Sequence, residues 1–569
     1  MARTRLFGQL RRIAGRVLAE RHPATPSLDA GRGQLTRRQL TSGALQLVAA
    51  SALTACGGDD SGKRPGTERV AVVGAGIAGL HCAYRLQQVG VHVTVYEAST
   101  RVGGRMFSVK DDAYDGQVFE LGGELIDSNH ATLFALAEEF DIKLDDRLAD
   151  EKIQPDLWFI DGKELDEATV VEQFSAVAPA MADAAAAADD EEDDTAFNEL
   201  DATPLSDWLD ENVPVADYPG LHALLTVAYR GEFGLETSEQ SALNLLYLIG
   251  SDEPDPFRIF GESDERYHAH EGSQIFPTSL AAELEDGTVQ LGTKLTRLTG
   301  GDARGFTLEL TDVKTGSKSE ASFDHVVLAM PFSVLRKVKL EVPLSALKKQ
   351  IIAELGYGTN AKIMGSFESR VWRENQQLSG SVTTDWPMQQ VWDTSIGQPG
   401  ARGILTNFLG GKAGVDVGKA DVDVEEYYQS LLPDLELIFP GVADLYVEDS
   451  ARRMHWPSYD FTLGSYTCYK PGQWQFWGHE GEREGNLHFC GEHTSADFQG
   501  WMEGGAETGA LVAAEILGDL GIEPSPELAS LLETKTVVPQ PAFPRAGIVK
   551  MSFRERQRRL QSVRARQRG

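Results

Sequence analysis

The chain has 569 residues, of which 41% are hydrophobic and 24% charged, so it is a folded protein long enough for two or more domains. Its 53 basic and 86 acidic residues give a formal net charge of -33, which argues against nucleic-acid binding because phosphate contacts require positive charge. Four cysteines in so long a chain exclude a fold held together by disulfides.

The charge is unevenly distributed along the chain. Residues 1–55 hold nine arginines against two acids, and residues 545–569 hold nine basic residues against one acid, so both ends are basic. The residues between them are therefore strongly acidic. This division predicts a basic head, an acidic body and a basic tail with separate roles.

The basic head has the features of an export signal. Arg37 and Arg38 precede an apolar run, residues 41–55, that is too short and too polar to span a bilayer. The arrangement resembles a twin-arginine signal, which exports proteins that fold and load a cofactor before crossing the membrane. The alternative is a disordered N-terminus that carries an arginine pair by chance.

The run ends in Leu-Thr-Ala-Cys at Cys56, which resembles a bacterial lipobox. We therefore predict a signal over residues 1–55, an acylated Cys56 and a flexible tether over residues 56–67. This places the mature protein outside the cytoplasm, in the periplasm or another extracytoplasmic space, anchored to a membrane by lipid.

A dinucleotide-binding unit follows the tether. Residues 69–73 read as a short strand, residues 74–79 match G-x-G-x-x-G, a helical pattern continues to Gly90, and a second strand ends at Glu97. Gly74 permits a tight turn, Gly76 lets the backbone approach a pyrophosphate, and Gly79 lets helix and strand pack closely. The helix N-terminus at Ile77 and Ala78 offers N–H groups to phosphate, and Glu97 is placed to accept hydrogen bonds from a ribose.

The segments after Glu97 resemble the flavin-containing amine oxidases, the family of monoamine, polyamine and L-amino-acid oxidases. The matching motifs run in family order from about residue 69 to about residue 520: RVGGR (101–105), ELGG (120–123), GTVQL (287–291), DHVVLAMP (324–331), LHFCGEHT (487–494) and GWMEGGAETGALVAAEI (500–516). The resemblance implies FAD as the cofactor.

The resemblance also implies which residues contact FAD. Near the C-terminus, Glu492 is positioned for the ribityl hydroxyls, and the helix beginning near Trp501 directs its N–H groups at the flavin pyrimidine edge. The predicted cofactor-binding residues are Gly74, Gly76, Ile77, Ala78, Gly79, Glu97, Ala98, Gly103, Gly104, Arg105, Gly122, Gly123, Glu124, Val289, Gly491, Glu492, Trp501 and Met502.

The implied reaction is oxidative deamination by hydride transfer from an amine or L-amino acid to the flavin. The products are an imine, then a carbonyl compound and ammonia, with hydrogen peroxide formed from O2. Lys362 matches the lysine that holds a water near the reactive flavin nitrogen, and Tyr466 and Trp501 match two aromatic walls that flank the amine. The alternatives from the residues alone are a solvent-facing strand lysine and ordinary core aromatics.

Ser465 stands where some monoamine oxidases have a cysteine bonded to the flavin, so we predict that FAD is bound non-covalently. Cys468, three residues on, is expected to face elsewhere, and Cys82 and Cys490 read as small buried apolar residues.

The substrate prediction rests on Glu124. In the venom-type L-amino-acid oxidases an arginine in this segment holds the substrate carboxylate, whereas a glutamate repels a carboxylate and attracts a cation. This favours a cationic substrate, a basic amino acid or a di- or polyamine. Glu124 could instead make a structural hydrogen bond, and Arg230 or Arg258 could serve a carboxylate.

The predicted fold is α/β with α+β mixing: a Rossmann-like FAD-binding domain intergrown with a substrate domain of mixed sheet and helices. The FAD-binding domain comprises residues 68–129, 268–344 and 485–520, the substrate domain residues 130–267 and 345–484, and the C-terminal extension residues 521–569. No histidine pair or acidic run has the spacing of a metal site, so no metal is predicted. The resemblance permits a homodimer without requiring one.

Three other functions stay open. One is a flavin desaturase or dehydrogenase that passes electrons to a quinone. Another is a flavin-binding surface protein without catalytic activity. The third, an NAD-linked dehydrogenase, is disfavoured by the segment 101–105 and the C-terminal helix.

Overall fold

The computed structural model describes residues 68–150, 152–153, 156–190, 193–252, 254–302 and 305–534. The predicted signal, the anchor at Cys56 and the basic tail lie outside these residues. The described part is mixed α/β, as predicted, with parallel and antiparallel sheets and helices around them.

The strands within the described residues are β1 Arg69–Val73, β2 His92–Tyr96, β3 Ser108–Lys110, β4 Val118–Glu120, β5 Leu125–Ile126, β6 Leu144–Asp146, β7 Leu157–Ile160, β8 Lys163–Glu164, β9 Tyr267–Ala269, β10 Val289–Gln290, β11 Thr293–Asp302, β12 Gly305–Asp312, β13 Lys318–Phe323, β14 His325–Leu328, β15 Lys339–Glu341, β16 Ala361–Phe367, β17 Val382–Thr384, β18 Gln390–Asp393, β19 Gly403–Leu409, β20 Arg452–His455 and β21 Leu487–Phe489.

The α-helices within the same residues are α1 Ile77–Gln88, α2 Ala131–Glu139, α3 Glu167–Ala188, α4 Thr195–Ala202, α5 Leu205–Asn212, α6 Pro219–Phe233, α7 Leu243–Leu246, α8 Ile275–Ala282, α9 Phe332–Leu335, α10 Ala346–Glu354, α11 Val371–Glu374, α12 Gly411–Asp416, α13 Val424–Ile438, α14 Met502–Leu520 and α15 Pro526–Thr534. Among these helices, none combines the length and apolar character needed to cross a membrane.

A parallel five-stranded sheet carries the dinucleotide-binding unit. Its order is β10-β2-β1-β14-β21, so strands far apart in the chain lie side by side, with Val72 opposite Val95 on one side and Val327 on the other. The central strands β1 and β14 are almost wholly apolar because a parallel sheet is covered on both faces. Its strands come from all three segments assigned to the FAD-binding domain.

A larger seven-stranded sheet lies in the segments assigned to the substrate domain. Its order is β20-β16-β19-β18-β17-β7-β8, and all its pairs are antiparallel except β17 with β7. The smaller sheets are β13-β12-β11-β15, β5-β9-β6 and the hairpin β3-β4. The β5-β9-β6 sheet joins strands from both predicted domains, so the two are intergrown.

Helix α14 packs against helix α1 through small residues. A Cβ added at Gly509 would lie 2.2 Å from the Ala78 carbonyl oxygen, and one at Gly505 would lie 2.8 Å from Ile77 Cγ2. Only glycine allows the two helix N-termini to approach so closely. Both N-termini thereby open on the same space beside the parallel sheet.

Candidate active site

A cavity of about 360 Å³ lies at the carboxyl ends of β1, β2, β14 and β21, and one face of the seven-stranded sheet forms part of its wall. The carboxyl edge of an open parallel sheet is where such folds bind ligands, because helix N-termini and loops meet there. The cavity has a glycine-rich end and an end lined by charged and aromatic side chains.

The glycine-rich end begins at the N-terminus of α1. Gly74 has φ +114° and a Cβ there would lie 2.5 Å from the Ala329 oxygen, while one at Gly79 would lie 2.0 Å from the Gly74 oxygen. Around Gly76, by contrast, a Cβ would meet nothing within 4 Å, and no side chain caps the helix at this residue. The open space before uncapped N–H groups fits a bound pyrophosphate.

Glu97 lies beside this helix N-terminus. Its Oε2 accepts from the Ala75 N–H at 2.7 Å and its Oε1 accepts from the Ser99 N–H at 2.8 Å. These bonds fix the carboxylate at the cavity wall and leave further lone pairs available. The position of the carboxylate is suited to accept hydrogen bonds from a ribose, which stays a prediction for Glu97.

The loop after Ala98 folds back over the α1 N-terminus. Gly103 has φ +111° and its N–H donates to the Ala75 oxygen at 2.8 Å, and Gly104, at φ +58°, lies close to Gly76. Arg101 donates to carbonyls within its own loop and lies over the Phe107 ring, 3.6 Å from its centroid. The Arg101 side chain therefore holds the loop closed.

Glu492 joins this loop to the C-terminal motif. Its Oε1 accepts from Arg105 at 2.7 Å and its Oε2 accepts from the Gly500 N–H at 2.7 Å. Helix α14 begins at Met502 with no side-chain cap, and a Cβ at Gly123 would lie 2.8 Å from the Met502 side chain. The segments 101–105 and 120–123 and the C-terminal motif thus meet at one wall of the cavity.

This end of the cavity fits FAD. It offers two helix N-termini with open N–H groups, a carboxylate at the end of β2 and a glycine-lined surface that any Cβ would obstruct. Of the predicted cofactor-binding residues, all but Gly79 and Val289 line the cavity, and Gly79 instead packs the helix onto the sheet.

The structure corrects the prediction for Val289. This residue lies in the two-residue edge strand β10, paired with Val95, and does not line the cavity. The chain then turns at Gly292, φ +68°, and the Thr293 N–H donates to the Glu97 oxygen at 2.8 Å. Because of this turn, residues 293–295 at the start of β11 line the cavity instead.

Lys362 and Glu124, predicted separately, form a buried ion pair. Lys362 Nζ lies 2.8 Å from Glu124 Oε2 and donates to the Gly122 oxygen at 2.8 Å. Glu124 also accepts from Trp392 Nε1 at 3.1 Å and from Thr394 Oγ1 at 2.8 Å. Burial acts to raise the pKa of the Glu124 carboxyl, but the charges of Lys362 and His268 and the hydrogen bonds outweigh it and hold the pKa below its ordinary value.

This geometry revises the prediction that Glu124 attracts the substrate. The carboxylate is already neutralised by Lys362 and its oxygens are held by Trp392 and Thr394, so it is not an isolated negative charge. It orients Lys362 beside the loop carbonyl of Gly122. Lys362 is buried, so it is not a solvent-facing strand lysine.

The antiparallel sheet positions Lys362 within a row of cavity-facing residues. Lys362 on β16 is paired with Phe408 on β19. Phe408 is also paired with Gln390 on β18, and Gln390 with Thr383 on β17. All four line the cavity, because residues paired across adjacent strands project to the same face. Trp392, two residues after Gln390, shares this face.

Trp392 and Phe408 were not predicted from the sequence. Their ring centroids lie 5.2 Å apart, and Lys362 Nζ lies 5.1 Å from the Trp392 centroid. The strand alternation of residues 390–393 and 403–409 was the available signal, but it does not tell which sheet face meets the cofactor.

The predicted aromatic residues Tyr466 and Trp501 also line the cavity. Tyr466 donates its hydroxyl to the Gly231 oxygen at 3.0 Å, and burial raises the pKa of this hydroxyl well above its ordinary value. A Cβ at Gly500, next to Trp501, would lie 3.8 Å from Tyr466 Cδ2, so the two aromatic residues are close in space.

Ser465 donates to Asn360 Oδ1 at 2.6 Å, while Cys468 is fully buried beside Asn244 and Tyr469. Cys468 therefore faces the core, as predicted. Cys82 and Cys490 are also fully buried, and burial raises the pKa of both thiols.

The charged residues at the end of the cavity away from the α1 N-terminus are mostly acidic. Besides the Lys362–Glu124 pair, Arg147, Asp156, Glu232 and Glu265 line this part. None of these four was predicted. Arg230 and Arg258, which the sequence offered as carboxylate-binding residues, are instead paired with Glu236 and with Asp252 and Glu262, and neither lines the cavity.

Two histidines that no sequence spacing linked meet at the parallel sheet. His325 Nδ1 lies 3.2 Å from His488 Nε2, and Asp519 lies close enough for the three to hold a metal ion. The remaining ring nitrogens contact Glu68 at 3.4 Å and Glu515 at 2.6 Å. All four imidazole nitrogens thus have partners, and the cluster forms a hydrogen-bonded chain between β14, β21 and α14.

The chain is similar to known flavin-dependent enzymes. The family model for flavin containing amine oxidoreductases matches residues 77–517, and a model for pyridine nucleotide-disulphide oxidoreductases matches residues 32–117. An L-amino acid dehydrogenase of Synechocystis sp. is 25% identical over 79% of this chain and 94% of the relative. An L-amino-acid oxidase of Bothrops moojeni is 22% identical over 79% of this chain and 89% of the relative.

Two solved structures share the fold. Cyclohexylamine oxidase from Brevibacterium oxydans aligns with a TM-score of 0.68 and 23% identity, covering 80% of this chain and 99% of that chain. Wild-type putrescine oxidase bound to putrescine aligns with a TM-score of 0.66 and 22% identity, covering 79% of this chain and 99% of that chain.

Proposed function

The chain belongs to the flavin-containing amine oxidoreductase family and is a FAD-dependent enzyme acting on amines. We propose that its substrate carries a second positive charge in addition to the reacting amine. The reaction converts the amine and O2 to an imine and hydrogen peroxide, and water then converts the imine to a carbonyl compound and ammonia. The substrate class is a basic L-amino acid or a diamine.

One observation carries the proposal: acids outnumber bases among the charged residues beyond the cofactor end of the cavity. Glu124 and Lys362 neutralise each other, which leaves Asp156 and Glu265 against Arg147. A cavity lined by one sign of charge attracts and holds ligands of the opposite sign. The name of putrescine oxidase, a diamine-binding protein of the same fold, is consistent with this substrate class.

The protein contributes positioning, electrostatics and exclusion of water. Bound FAD supplies an acceptor for hydride from the carbon beside the amine nitrogen and a means of passing electrons to oxygen. Tyr466 and Trp501 provide aromatic faces that confine the amine. Lys362, fixed by Glu124 and by the Gly122 oxygen, holds a positive charge in the cavity wall that would stabilise negative charge on a bound flavin.

The direct test is a peroxide-coupled screen under air. We expect L-lysine, L-arginine or putrescine to give peroxide. L-Lysine should be preferred over L-norleucine, and putrescine over n-butylamine, because each comparison compound has the same carbon chain but lacks the second charge. If no amine gives peroxide or bleaches the flavin colour, the enzyme assignment of this site fails.

A quinone is the alternative to O2 as the electron acceptor, and the name of one relative, L-amino acid dehydrogenase, supports it. Bleaching of the flavin by an amine without peroxide formation, together with turnover on a soluble quinone, would favour this alternative. The amine-binding residues and their roles would be unchanged.

We also propose that FAD is held without a covalent bond, since Ser465 is hydrogen-bonded to Asn360 and Cys468 faces the core. Acid precipitation of the holoenzyme should leave the yellow colour in the supernatant. Colour retained in the washed pellet would contradict this.

A further inference from the structure

We propose that the Glu265 carboxylate is the subsite for the second positive charge of the substrate, a primary ammonium or a guanidinium group. This inference rests on the proposed function and assigns it to one residue. Glu265 lies in the connection before β9, outside the motifs that bind the cofactor.

The backbone around Glu265 is held in an unusual conformation. Its φ of +43° lies in the left-handed region, which a glutamate seldom adopts. The Glu265 N–H donates to Asp127 Oδ1 at 2.8 Å, and its carbonyl accepts from Arg147 Nη1 at 2.7 Å. These two hydrogen bonds hold the residue in its left-handed conformation at the cavity wall, and such strain is typical of functional positions.

Among the described residues, Arg147 acts on the Glu265 carboxylate through its charge and not through a hydrogen bond or an ion pair. The carboxylate makes no hydrogen bond and no ion pair with any of the described residues, and Glu265 is one of the residues that line the cavity. Glu124 differs in this respect, because Lys362, Trp392 and Thr394 satisfy its oxygens. A carboxylate of a cavity-lining residue that no side chain of the described residues pairs with is suited to receive a cation from the ligand.

The charges around Glu265 favour an incoming cation. Burial and the neighbouring Asp127, Asp156 and Glu124 raise the pKa of the Glu265 carboxyl to about 7, and Arg147 opposes this increase only in part. Arg147 directs one nitrogen to the Glu265 carbonyl and so stabilises the backbone. A bound ammonium would relieve the repulsion among these acids, which an uncharged side chain could not do.

The position relative to the other cavity residues fits an elongated substrate. The charge of Glu265 affects Tyr466, one of the aromatic residues predicted to flank the reacting amine, and it also experiences the charge of Glu124 beside Lys362. Asp156 is exposed, so it lies toward the solvent side of the same wall. Glu265, Tyr466 and Trp501 line one cavity, so one elongated substrate can contact Glu265 and the aromatic residues together.

The test compares Glu265→Gln with wild-type holoenzyme on two matched pairs, L-lysine with L-norleucine and putrescine with n-butylamine. For L-lysine and putrescine, kcat/KM should fall about 30-fold, mainly because KM rises. For L-norleucine and n-butylamine, which have neutral tails, kcat/KM should change less than about threefold. Glu265→Asp, which retains the charge, should recover part of the loss. Glu262→Gln, an exposed neighbour paired with Arg258, is the matched control.

FAD absorbance and the melting temperature show whether each variant is folded and loaded. An equal loss on both members of a pair would overturn the inference, because it would indicate a role in the chemistry or in folding. No loss on either member would also overturn it. If wild type oxidises neutral amines better than cationic ones, this inference fails and the amine oxidase assignment stands, whereas no oxidation of any amine means that the proposed function has failed.

Discussion

The two ends of the cavity are built by different means. The cofactor end consists mainly of backbone atoms and glycines from three motifs, each continuous in the chain, such as residues 74–79. The substrate end consists of side chains from β16, β18, β19 and from loops such as that of Glu265. A surface made from backbone tolerates no added atoms, whereas a surface made from side chains can change specificity without altering the fold.

The largest effect is expected at Lys362, which contacts both ends. Lys362→Met removes the cation beside the Gly122 loop, and we expect the rate of flavin reoxidation by O2 to fall about 100-fold or more. It also leaves the Glu124 carboxylate buried without its counter-ion, which costs about 3 kcal/mol of stability. Stopped-flow reoxidation and thermal melts measure the two effects.

The double variant Lys362→Met with Glu124→Gln separates these effects. It should recover most of the melting temperature, because the uncompensated charge is gone, while reoxidation stays slow. Recovery of reoxidation in the double variant would show that Lys362 acts only by stabilising the fold.

The next effect tests the backbone-built end alone. Gly79→Ala places a Cβ against the Gly74 oxygen, so it should lower the unfolding free energy by about 1–3 kcal/mol and weaken FAD binding. The preference between L-lysine and L-norleucine should not change. Gly518→Ala, on an exposed turn of α14 where a Cβ meets nothing within 4 Å, is the control and should leave stability equal or higher. Altered substrate preference in Gly79→Ala would mean that the two ends are not independent.

The third prediction concerns pH at the side-chain-built end. With a pKa of about 7, the Glu265 carboxyl is ionised above this pH and neutral below it. The ratio of kcat/KM for putrescine to that for n-butylamine should therefore be constant above about pH 8 and fall by up to about tenfold per pH unit below 7. Taking the ratio cancels the titration of the reacting amine. Glu265→Gln should give a flat profile, and a wild-type ratio that is flat from pH 5.5 to 8.5 would contradict the prediction.

The smallest effect is expected at Trp392. Trp392→Phe keeps an aromatic ring beside Phe408 but removes the hydrogen bond to Glu124, worth about 1 kcal/mol. We expect KM to change less than about fivefold, with unchanged FAD content. A change in kcat of tenfold or more would show that Trp392 has a larger part in orienting Lys362 than one hydrogen bond explains.

The sequence predicted much of the cofactor end because the constraints there are local. The turn at Gly74, the open space at Gly76 and the tight packing at Gly79 each follow from the absence of a Cβ at one position. The error at Val289 has a physical cause as well. The strands β10 and β11 are separated only by a turn at Gly292. Because of this turn, the start of β11 lines the cavity and β10 does not.

The substrate end could be predicted only in part. Lys362, Glu124, Tyr466 and Trp501 all line the cavity, but their partners were not foreseen. Glu124 is neutral in combination with Lys362, which is 238 positions away in the chain. Glu265, Arg147, Phe408 and Trp392 carry no motif, and only strand register and loop closure bring them to one wall.

The sequence alone therefore determined the family, the cofactor and the order of the motifs, because backbone geometry leaves a local signature in glycines and strand patterns. The tertiary structure decided which charges cancel and which remain available to a ligand. The reason is that Coulomb interactions depend on distances in space. Glu124 is ion-paired with Lys362, whereas Glu265 has no ion pair with any described residue, and the two carboxylates differ in what the fold places beside them.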